Sequence, residues 1–281
     1  MKKRYFSLLV AGTLTLSTVS MSQADNILLT RFDFTGYDVM EANLEADGHT
    51  VTQVDATTGG NVAAALSATS YDQVFLWDLT STSYLNNNDI SALVSFFDSH
   101  SSIVLDSRSY GYHFQGSQES EVQLLQNIAS EFSTQGGGIW LGTDHDPAWT
   151  NNANLFLAAA DFDTISGSHS QAVNDWDPNS VLLDGVDPFD LWAEGASVGH
   201  VSLGIQQNGL DMRYHFGHSS TQSGAIPYIS ASFGNYIAPD EDPDDHIDNG
   251  PVVDPIPEPA TMLLFGTGLL GLIGSRIRRK K

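Results

Sequence analysis

Two short segments of this sequence carry side chains that could perform chemistry. In segment 107–111 (SRSYG), Ser109 has a hydroxyl that becomes a nucleophile only if an imidazole removes its proton. In segment 144–146 (DHD), His145 lies between two carboxylates, which suits proton transfer or a divalent metal. Ser109 and His145 are therefore the candidate catalytic residues, with His218 as an alternative base for Ser109.

Both segments also have a purely structural interpretation, which the sequence favours. A serine with no visible partner is inert, so Ser109 fits an ordinary residue of a strand-to-helix loop. Segment 144–146 fits a polar loop of a very acidic protein, since three adjacent residues cannot all turn toward one ion. Whether the protein is an enzyme stays open, and the residues lean toward a non-catalytic module.

The elements that must position these residues alternate between apolar strands and amphipathic helices. Strands are predicted at 26–30, 51–54, 74–77, 103–105 and 138–141. Two helices are predicted at 37–46 and 61–68, and a third is predicted to follow a cap at Asn88 or Asp89. A fourth is indicated by the apolar stripe of Leu124, Leu125, Ile128 and Phe132, and a fifth ends near residue 160. Repeated strand and helix units indicate an α/β fold with a mostly parallel sheet and helices on both faces. Segment 144–146 would then lie at the carboxyl end of the sheet, where open α/β folds bind ligands.

The second half of the chain predicts an antiparallel hairpin at 201–216. Its two apolar-polar alternating strands flank an Asn-Gly pair typical of a two-residue turn. That turn would place Ile205 opposite Met212 and would direct Arg213 and His215 away from the core.

The order of these elements between residues 26 and 218 resembles the class I glutamine amidotransferase-like fold. This flavodoxin-like fold serves amidotransferases, some peptidases and many non-enzymatic relatives. The family places a catalytic cysteine in a tight strand-to-helix turn of the form Gly-x-Cys-x-Gly. Here Ser107 stands at the first glycine and Ser109 at the cysteine. Both departures count against amidotransferase chemistry.

Charge and composition narrow the range of partners. The chain has 34 Asp and Glu residues against 11 Lys and Arg, and the body between its two ends holds only Arg31, Arg108 and Arg213. This charge excludes nucleic acid and anionic lipid as direct partners and leaves neutral glycans open. The absence of cysteine excludes thiol nucleophiles, thiolate metal sites and disulfides.

Segments 175–179 (DWDPN) and 240–244 (DEDPD) imitate calcium-binding loops. An EF-hand loop needs glycine at its sixth position and glutamate at its twelfth. The residues at these positions are Ser180 and Val186 in the first segment, and Asp245 and Pro251 in the second. The sequence therefore predicts no cofactor, and weak binding of divalent cations by the acidic surface stays open on charge alone.

The N-terminus has the three parts of a secretory signal peptide. Basic residues at 2–4 precede an apolar stretch over 5–19, and small residues lead to a cleavage point after Ala24. We expect residues 1–24 to direct the chain to the secretion machinery and to be removed by signal peptidase.

Beyond the signal peptide the chain divides into three predicted parts. Residues 25–236 suffice for one domain with a sizeable core, and residues 237–256 form a solvated acidic linker. In the tail, 257–281, the apolar segment 260–275 would span about 24 Å as a helix against a hydrocarbon core of about 30 Å. It predicts a short and temporary transmembrane segment, with the basic end in the cytoplasm.

The tail resembles the PEP-CTERM sorting signal of exported bacterial proteins. A Pro-Glu-Pro motif, an apolar helix and an arginine-rich end stand in the order of that signal. The residues that carry the resemblance are Pro257, Glu258, Pro259, Arg276, Arg278 and Arg279. The resemblance implies processing by the membrane enzyme exosortase, an inner-membrane intermediate, and a final location at the cell surface or outside the cell.

Two functions follow from these expectations. The first is a non-catalytic surface or matrix protein, which the resemblance links to exopolysaccharide and biofilm in Gram-negative bacteria. The alternative is a secreted hydrolase that uses Ser109 as nucleophile and His145 or His218 as base.

Overall fold

The computed structural model describes eleven stretches of the chain. They are residues 24–32, 36–79, 82, 84–98, 102–108, 118–135, 137–144, 146–170, 172–192, 197–220 and 224–234. All of them belong to the unit that spans Met1–Asp240. Ser109, His145, the signal peptide up to residue 23, the linker and the tail lie outside the described residues. Within the described stretches, no helix combines the length and apolar character needed to cross a bilayer.

Five parallel strands form one half of a nine-stranded sheet. They are β1 (Asn26–Arg31), β2 (Thr50–Asp55), β3 (Gln73–Leu76), β4 (Ser102–Asp106) and β5 (Gly138–Gly142). Their order in the sheet is β2-β1-β3-β4-β5, the order of doubly wound, flavodoxin-like sheets. The predicted α/β class and the five predicted strands are confirmed.

Helices cover both faces of this parallel half. They are α1 (Tyr37–Ala46), α2 (Asn61–Ala68), α3 (Asn87–Asp98), α4 (Gln118–Gln135) and α5 (Asn151–Ala159). Alternate residues of a strand point to opposite faces, so Leu28 and Leu29 of β1 enter two different cores. Helices α1 and α4 contribute to the core of Leu29, and α2, α3 and α5 to that of Leu28.

The cap of helix α3 lies two or three residues before the caps, Asn88 or Asp89, that the sequence pattern predicted. Its cap is Asn86, whose Oδ1 accepts the N–H groups of Asn88 (2.8 Å) and Asp89 (3.1 Å). The Asp89 carboxylate in turn accepts the Asn86 N–H at 3.0 Å. This reciprocal capping box satisfies the first-turn donors, which is why Asn86 rather than Asn88 or Asp89 starts the helix.

Antiparallel strands extend the sheet beyond β5. They are β11 (Gly224–Ala231), β10 (Asp211–Ser220) and β7 (Asp175–Trp176), in that order, with β9 (Gly204–Ile205) paired to the start of β10. A separate two-stranded sheet consists of β6 (Ser166–Ser170) and β8 (Ser197–His200). A 3-10 turn at Val181–Leu183 and the short helix α6 (Pro188–Trp192) connect β7 to β8.

The hairpin predicted at 201–216 forms only in part, and its predicted register is wrong. Of the predicted first strand, only the two residues of β9 pair with β10, which pairs instead with β11 along most of its length and with β7 at Phe216 and Gly217. Ile205 lies opposite Asp211 instead of Met212. Its side chain is consequently 81% exposed rather than part of an apolar face.

The turn of this hairpin explains the shift in register. Gln206 donates its N–H to the Leu210 carbonyl at 2.8 Å, which leaves three residues in the turn instead of two. Gly209 has φ +87 and donates its N–H to the Gln206 carbonyl at 2.9 Å, as in a type I turn that ends on a left-handed residue. One additional turn residue moves every strand partner by one.

The prediction that His215 points away from the core is also wrong, because the residue is fully buried. The pairing of β10 with β11 shifts between Tyr214 and Phe216, so His215 is an extra residue in a β-bulge. A bulge breaks the alternation on which the prediction rested. Arg213 follows the prediction, with 39% of its side chain exposed.

Candidate functional site

Buried charged side chains gather at the carboxyl ends of the parallel strands. Asp78 follows β3, Asp106 ends β4, and Asp144 follows β5. Arg108 and Glu121, from the first turn of α4, complete a set that we call the carboxyl-edge cluster. None of the five is more than 4% exposed. Since burial of an unpaired charge is costly, the partners of these side chains decide what the cluster can do.

Arg108 is held by two carboxylates. Its Nε donates to both Asp106 oxygens at 3.1 and 3.0 Å, and its Nη2 donates to Asp106 Oδ2 at 2.7 Å. On the other side, Nη1 and Nη2 donate to the two Glu121 oxygens at 2.9 and 3.1 Å. Two-point bonds of this kind fix the guanidinium plane and satisfy its donors.

The local sequence makes room for this ion-pair network. Arg108 donates its backbone N–H to Asp106 Oδ1 at 2.9 Å, so the chain turns sharply at the end of β4. Gly142 on β5 permits the approach, because a Cβ there would lie 2.6 Å from Asp106 Oδ1 and 2.7 Å from the Trp140 ring. The Arg108 guanidinium also lies 5.7 Å from the centre of the Trp140 ring, a cation–π distance.

These contacts make Arg108 a structural residue. A guanidinium already bound to two carboxylates has little capacity left for a substrate anion. Ser107, by contrast, has a fully buried hydroxyl without a hydrogen-bond partner among the described residues. A buried side chain with no adjacent base is no nucleophile.

A second group of polar side chains lies on the separate β6–β8 sheet. This sheet docks on the loop after β5, where Gly199 donates its N–H to the Asp144 carbonyl and Asp146 donates to the Gly167 carbonyl, both at 2.9 Å. Across the two strands, Ser166 Oγ lies 2.9 Å from His200 Nε2.

His169 joins this group, and we call His169 and His200 the histidine pair. Their ring centres are 5.8 Å apart. Gly167 has φ +83, and a Cβ on it would lie 3.1 Å from His169 Nε2 and 3.3 Å from His200 Nδ1. His169 Nε2 is buried and has no hydrogen-bond partner among the described residues. Partial burial lowers the pKa of His200, and the nearby His169 lowers it further.

Ser166 and His200 have the separation of a nucleophile and its base, but the third member of a catalytic triad is missing within the described stretches. A triad needs a carboxylate on the Nδ1–H of the histidine to fix its tautomer. Here Nδ1 of His200 faces the space beside Gly167 that His169 also faces. The sequence did not single out these residues, since Ser166 and His200 lie 34 positions apart and meet only through strand pairing.

The structure brings none of the described sequence candidates into a catalytic arrangement. His218 Nδ1 donates to the Ala172 carbonyl at 3.0 Å, which gives it a structural role. In the calcium-like segment, Asp175 accepts the Tyr214 hydroxyl at 2.9 Å and Asp177 accepts the Asn179 N–H at 2.8 Å. Among the described residues, no group of three or more His, Asp or Glu side chains is arranged to hold a metal ion.

A polar groove of about 510 Å³ lies between α4 and residues 178–184. Its lining includes Asn127, Ser130, Glu131, Asn179 and Asp184. Amide, hydroxyl and carboxylate groups of this kind can exchange hydrogen bonds with an uncharged polar ligand.

The described domain thus defines an α/β protein with a mostly parallel sheet, in which the charged groups at the carboxyl end of β4 are paired with one another. Residues 255–280 match the PEP-CTERM protein-sorting motif, which confirms the resemblance of the tail. The chain therefore carries the sorting signal of an exported protein that exosortase recognises. No curated protein and no solved structure matches this chain, so the amidotransferase-like resemblance gains no support from known structures.

Proposed function

We propose that this chain is a cell-surface or extracellular-matrix protein whose α/β domain is non-catalytic and associates with exopolysaccharide in a biofilm. The observation that carries the proposal is the sorting motif at 255–280, which delivers the domain out of the cell. Signal peptidase would remove residues 1–24, and the segment 260–275 would hold the chain in the inner membrane until exosortase acts.

Two features of the domain support a non-catalytic role. The cysteine on which the amidotransferase-like family relies is replaced by Ser109. The charged groups at the carboxyl end of β4 bind one another, since Arg108 is paired with Asp106 and Glu121. Open α/β folds bind ligands at this edge of the sheet. At the end of β4 the charged side chains bind one another and are not available to a ligand.

The charge of the protein supports a neutral polysaccharide as its partner. Thirty-four acidic residues against 11 basic ones repel anionic polymers. The groove between α4 and residues 178–184 offers hydrogen-bonding groups without needing a charged ligand. A neutral glycan is the partner class that satisfies both conditions.

Deletion of residues 257–281 tests the sorting part of this proposal. We expect the truncated protein to be exported and folded, with an unchanged circular dichroism spectrum, and to lose exosortase-dependent processing and surface delivery. The matched variant replaces Pro257, Glu258 and Pro259 with alanine and keeps the apolar and basic parts. It should insert in the inner membrane and accumulate unprocessed. Unchanged localisation of both variants would refute the proposal.

A secreted hydrolase is the second candidate function, favoured by the 2.9 Å separation of Ser166 Oγ and His200 Nε2. A fluorophosphonate probe, which labels activated serines, distinguishes the two functions. Labelling that is lost in Ser109→Ala would assign the nucleophile to Ser109, and labelling lost in Ser166→Ala would assign it to Ser166. Absence of labelling in the wild-type protein would exclude an activated serine and support the non-catalytic role.

A further inference from the structure

We propose that His169 and His200 form a binding site for a divalent transition metal of the Zn²⁺ class. The site lies on the β6–β8 sheet beside the loop after β5. It is independent of exosortase sorting and of glycan binding.

The geometry of the two imidazoles carries this inference. His169 Nε2 and His200 Nδ1 lie within 3.3 Å of one point, the position that a Cβ of Gly167 would occupy. Imidazole nitrogen is a preferred ligand of Zn²⁺, Cu²⁺ and Ni²⁺. Both nitrogens lie beside Gly167, and ring centres 5.8 Å apart are close enough for one ion to contact a nitrogen of each ring, with water completing the coordination.

The contacts of each ring leave the converging nitrogens available. His169 Nε2 is buried without a hydrogen-bond partner in the described part of the chain, which costs free energy unless a ligand satisfies it. His200 uses its other nitrogen, Nε2, for Ser166 Oγ at 2.9 Å. When that Nε2–H donates to the hydroxyl, the lone pair of His200 lies on Nδ1, facing the space. Metal-binding histidines usually have their second nitrogen held in this way.

Glycine at position 167 keeps this space open. Its φ of +83 is a left-handed conformation that side chains rarely adopt, and a Cβ would stand between the two nitrogens. Gly167 is itself exposed and Ser166 is half-buried, so the site lies near the surface, and an ion reaches the buried His169 Nε2 by a small shift of the groups packed on it.

The charges around the pair favour a cation. The loop that docks this sheet supplies two carboxylates, Asp144 and Asp146. Asp146 Oδ1 accepts the Thr150 hydroxyl at 2.7 Å, so this carboxylate is held in the loop and contributes negative charge there. The two imidazoles should therefore determine which metal binds. They favour metals that prefer nitrogen ligands over metals, such as Ca²⁺, that prefer oxygen ligands.

Titration of the purified exported protein with ZnCl₂ by calorimetry at neutral pH tests the proposal. We expect one site that excess CaCl₂ does not displace, because Ca²⁺ requires oxygen ligands. His169→Ala and His200→Ala should each weaken Zn²⁺ binding by at least about 10-fold, and Ser166→Ala should weaken it by about 10-fold through loss of the partner of Nε2. The matched control is His218→Ala, which removes a half-buried histidine elsewhere and should leave binding unchanged.

Two outcomes would overturn the proposal. One is Zn²⁺ binding that calcium displaces and that both histidine variants retain, which assigns it to the acidic surface. The other is an equal loss in His218→Ala and in the histidine-pair variants. Circular dichroism of each variant separates loss of the site from loss of the fold, and Gly167→Ala should abolish binding by filling the space. Failure of sorting in the tail variants would leave the result of this titration unaffected.

Discussion

Arg108 is a buried arginine whose hydrogen bonds link two elements of the domain. Its guanidinium is 1% exposed and makes two-point contacts with Asp106 and with Glu121. Three charged side chains buried away from water stabilise the fold only when all three are present, because removing one leaves a buried charge without an opposite charge beside it. The network therefore ties the end of β4 to the first turn of α4.

Arg108→Ala should lower the free energy of unfolding by about 3–5 kcal/mol, the usual cost of breaking a buried ion pair from one side. Arg31→Ala is the matched control, since Arg31 is exposed at the end of β1 and its loss should cost less than about 1 kcal/mol. Urea denaturation of both variants measures the difference. Equal destabilisation by the two substitutions would contradict the structural role of Arg108.

His215 is a buried histidine that folding keeps neutral. Its Nε2–H donates to the Phe233 carbonyl at 2.9 Å, and its Nδ1 accepts the Ser180 hydroxyl at 2.6 Å. Burial lowers its pKa from 6.5 to about 4, despite the opposing hydrogen bond to Phe233. The arrangement predicts an acid-sensitive fold.

Between pH 6.5 and pH 4 the unfolded chain binds a proton at His215 that the folded chain does not. The contribution of this residue to stability is therefore complete above pH 6.5 and lost as the pH falls toward 4, with a total of about 3 kcal/mol. Denaturant unfolding across this range measures the slope. His215→Gln, which cannot titrate and retains a donor for Phe233, should have a shallower slope. An identical slope in both proteins would show that other groups carry the acid sensitivity.

At the scale of elements, the pairing of β10 with β11 holds the antiparallel half of the domain together, and β11 in turn pairs with β5 of the parallel half. Its register shifts twice, between Tyr214 and Phe216 and between Phe216 and Gly217. At Gly217 the two backbones come so close that an added Cβ would collide with the carbonyl oxygen of Ile226. Glycine is therefore required there by space rather than by its φ.

Gly217→Ala should destabilise the domain by about 3 kcal/mol or more, because the backbones must separate to admit a methyl group. Gly209→Ala is the matched control: a Cβ at Gly209 would meet no atom within 4 Å, although φ is +87. Its cost should be limited to the left-handed conformation, about 1–2 kcal/mol. Thermal unfolding followed by circular dichroism compares the two. A larger loss in the Gly209 variant would contradict the close approach at Gly217.

The parallel half of the fold could be predicted from the sequence because its signals are local. Its strands are continuous apolar runs such as residues 103–105, and its helices carry apolar stripes that alternate with them. The antiparallel half could not be predicted in the same way. β6 has the polar sequence SGSHS, and the bulge at His215 breaks the alternation of β10.

The candidate sites show the same limit. Asp106 and Arg108 are two positions apart in sequence, and an arginine so close to the end of a buried strand is a signal that could have indicated an ion pair. His169 and His200 are separated by 30 other residues and come together only through the pairing of β6 with β8. A site that depends on a short, polar antiparallel pair has no local pattern to indicate it.

At the scale of the whole molecule, charge is segregated along the chain. Eight of the 11 basic residues lie in the predicted signal peptide and the tail, while 33 of the 34 acidic residues lie between them and Glu258 belongs to the tail. In the proposed function the two ends would interact with membranes and with processing enzymes, and the delivered body would repel anionic surfaces. Processing at both ends would remove most of the positive charge, so the delivered protein would be more acidic than its precursor.

This segregation predicts a partner selectivity that co-sedimentation with insoluble polysaccharide can measure. We expect the exported protein to bind an uncharged polymer such as cross-linked dextran in the presence of EDTA. Binding to alginate, which is anionic, should require calcium and be lost with EDTA, because only a bridging cation offsets the repulsion between two negative polymers.

The groove beside α4 should be the surface that binds dextran. Ser130→Trp places an indole in the groove and should lower dextran binding by about tenfold, equivalent to about 1.4 kcal/mol. Thr134→Trp is the matched control, since Thr134 is exposed one helical turn further along α4 and does not line the groove. Equal binding by the two variants would exclude the groove. Alginate binding that persists in EDTA would contradict the electrostatic argument itself, because the acidic body then could not be what decides the partner.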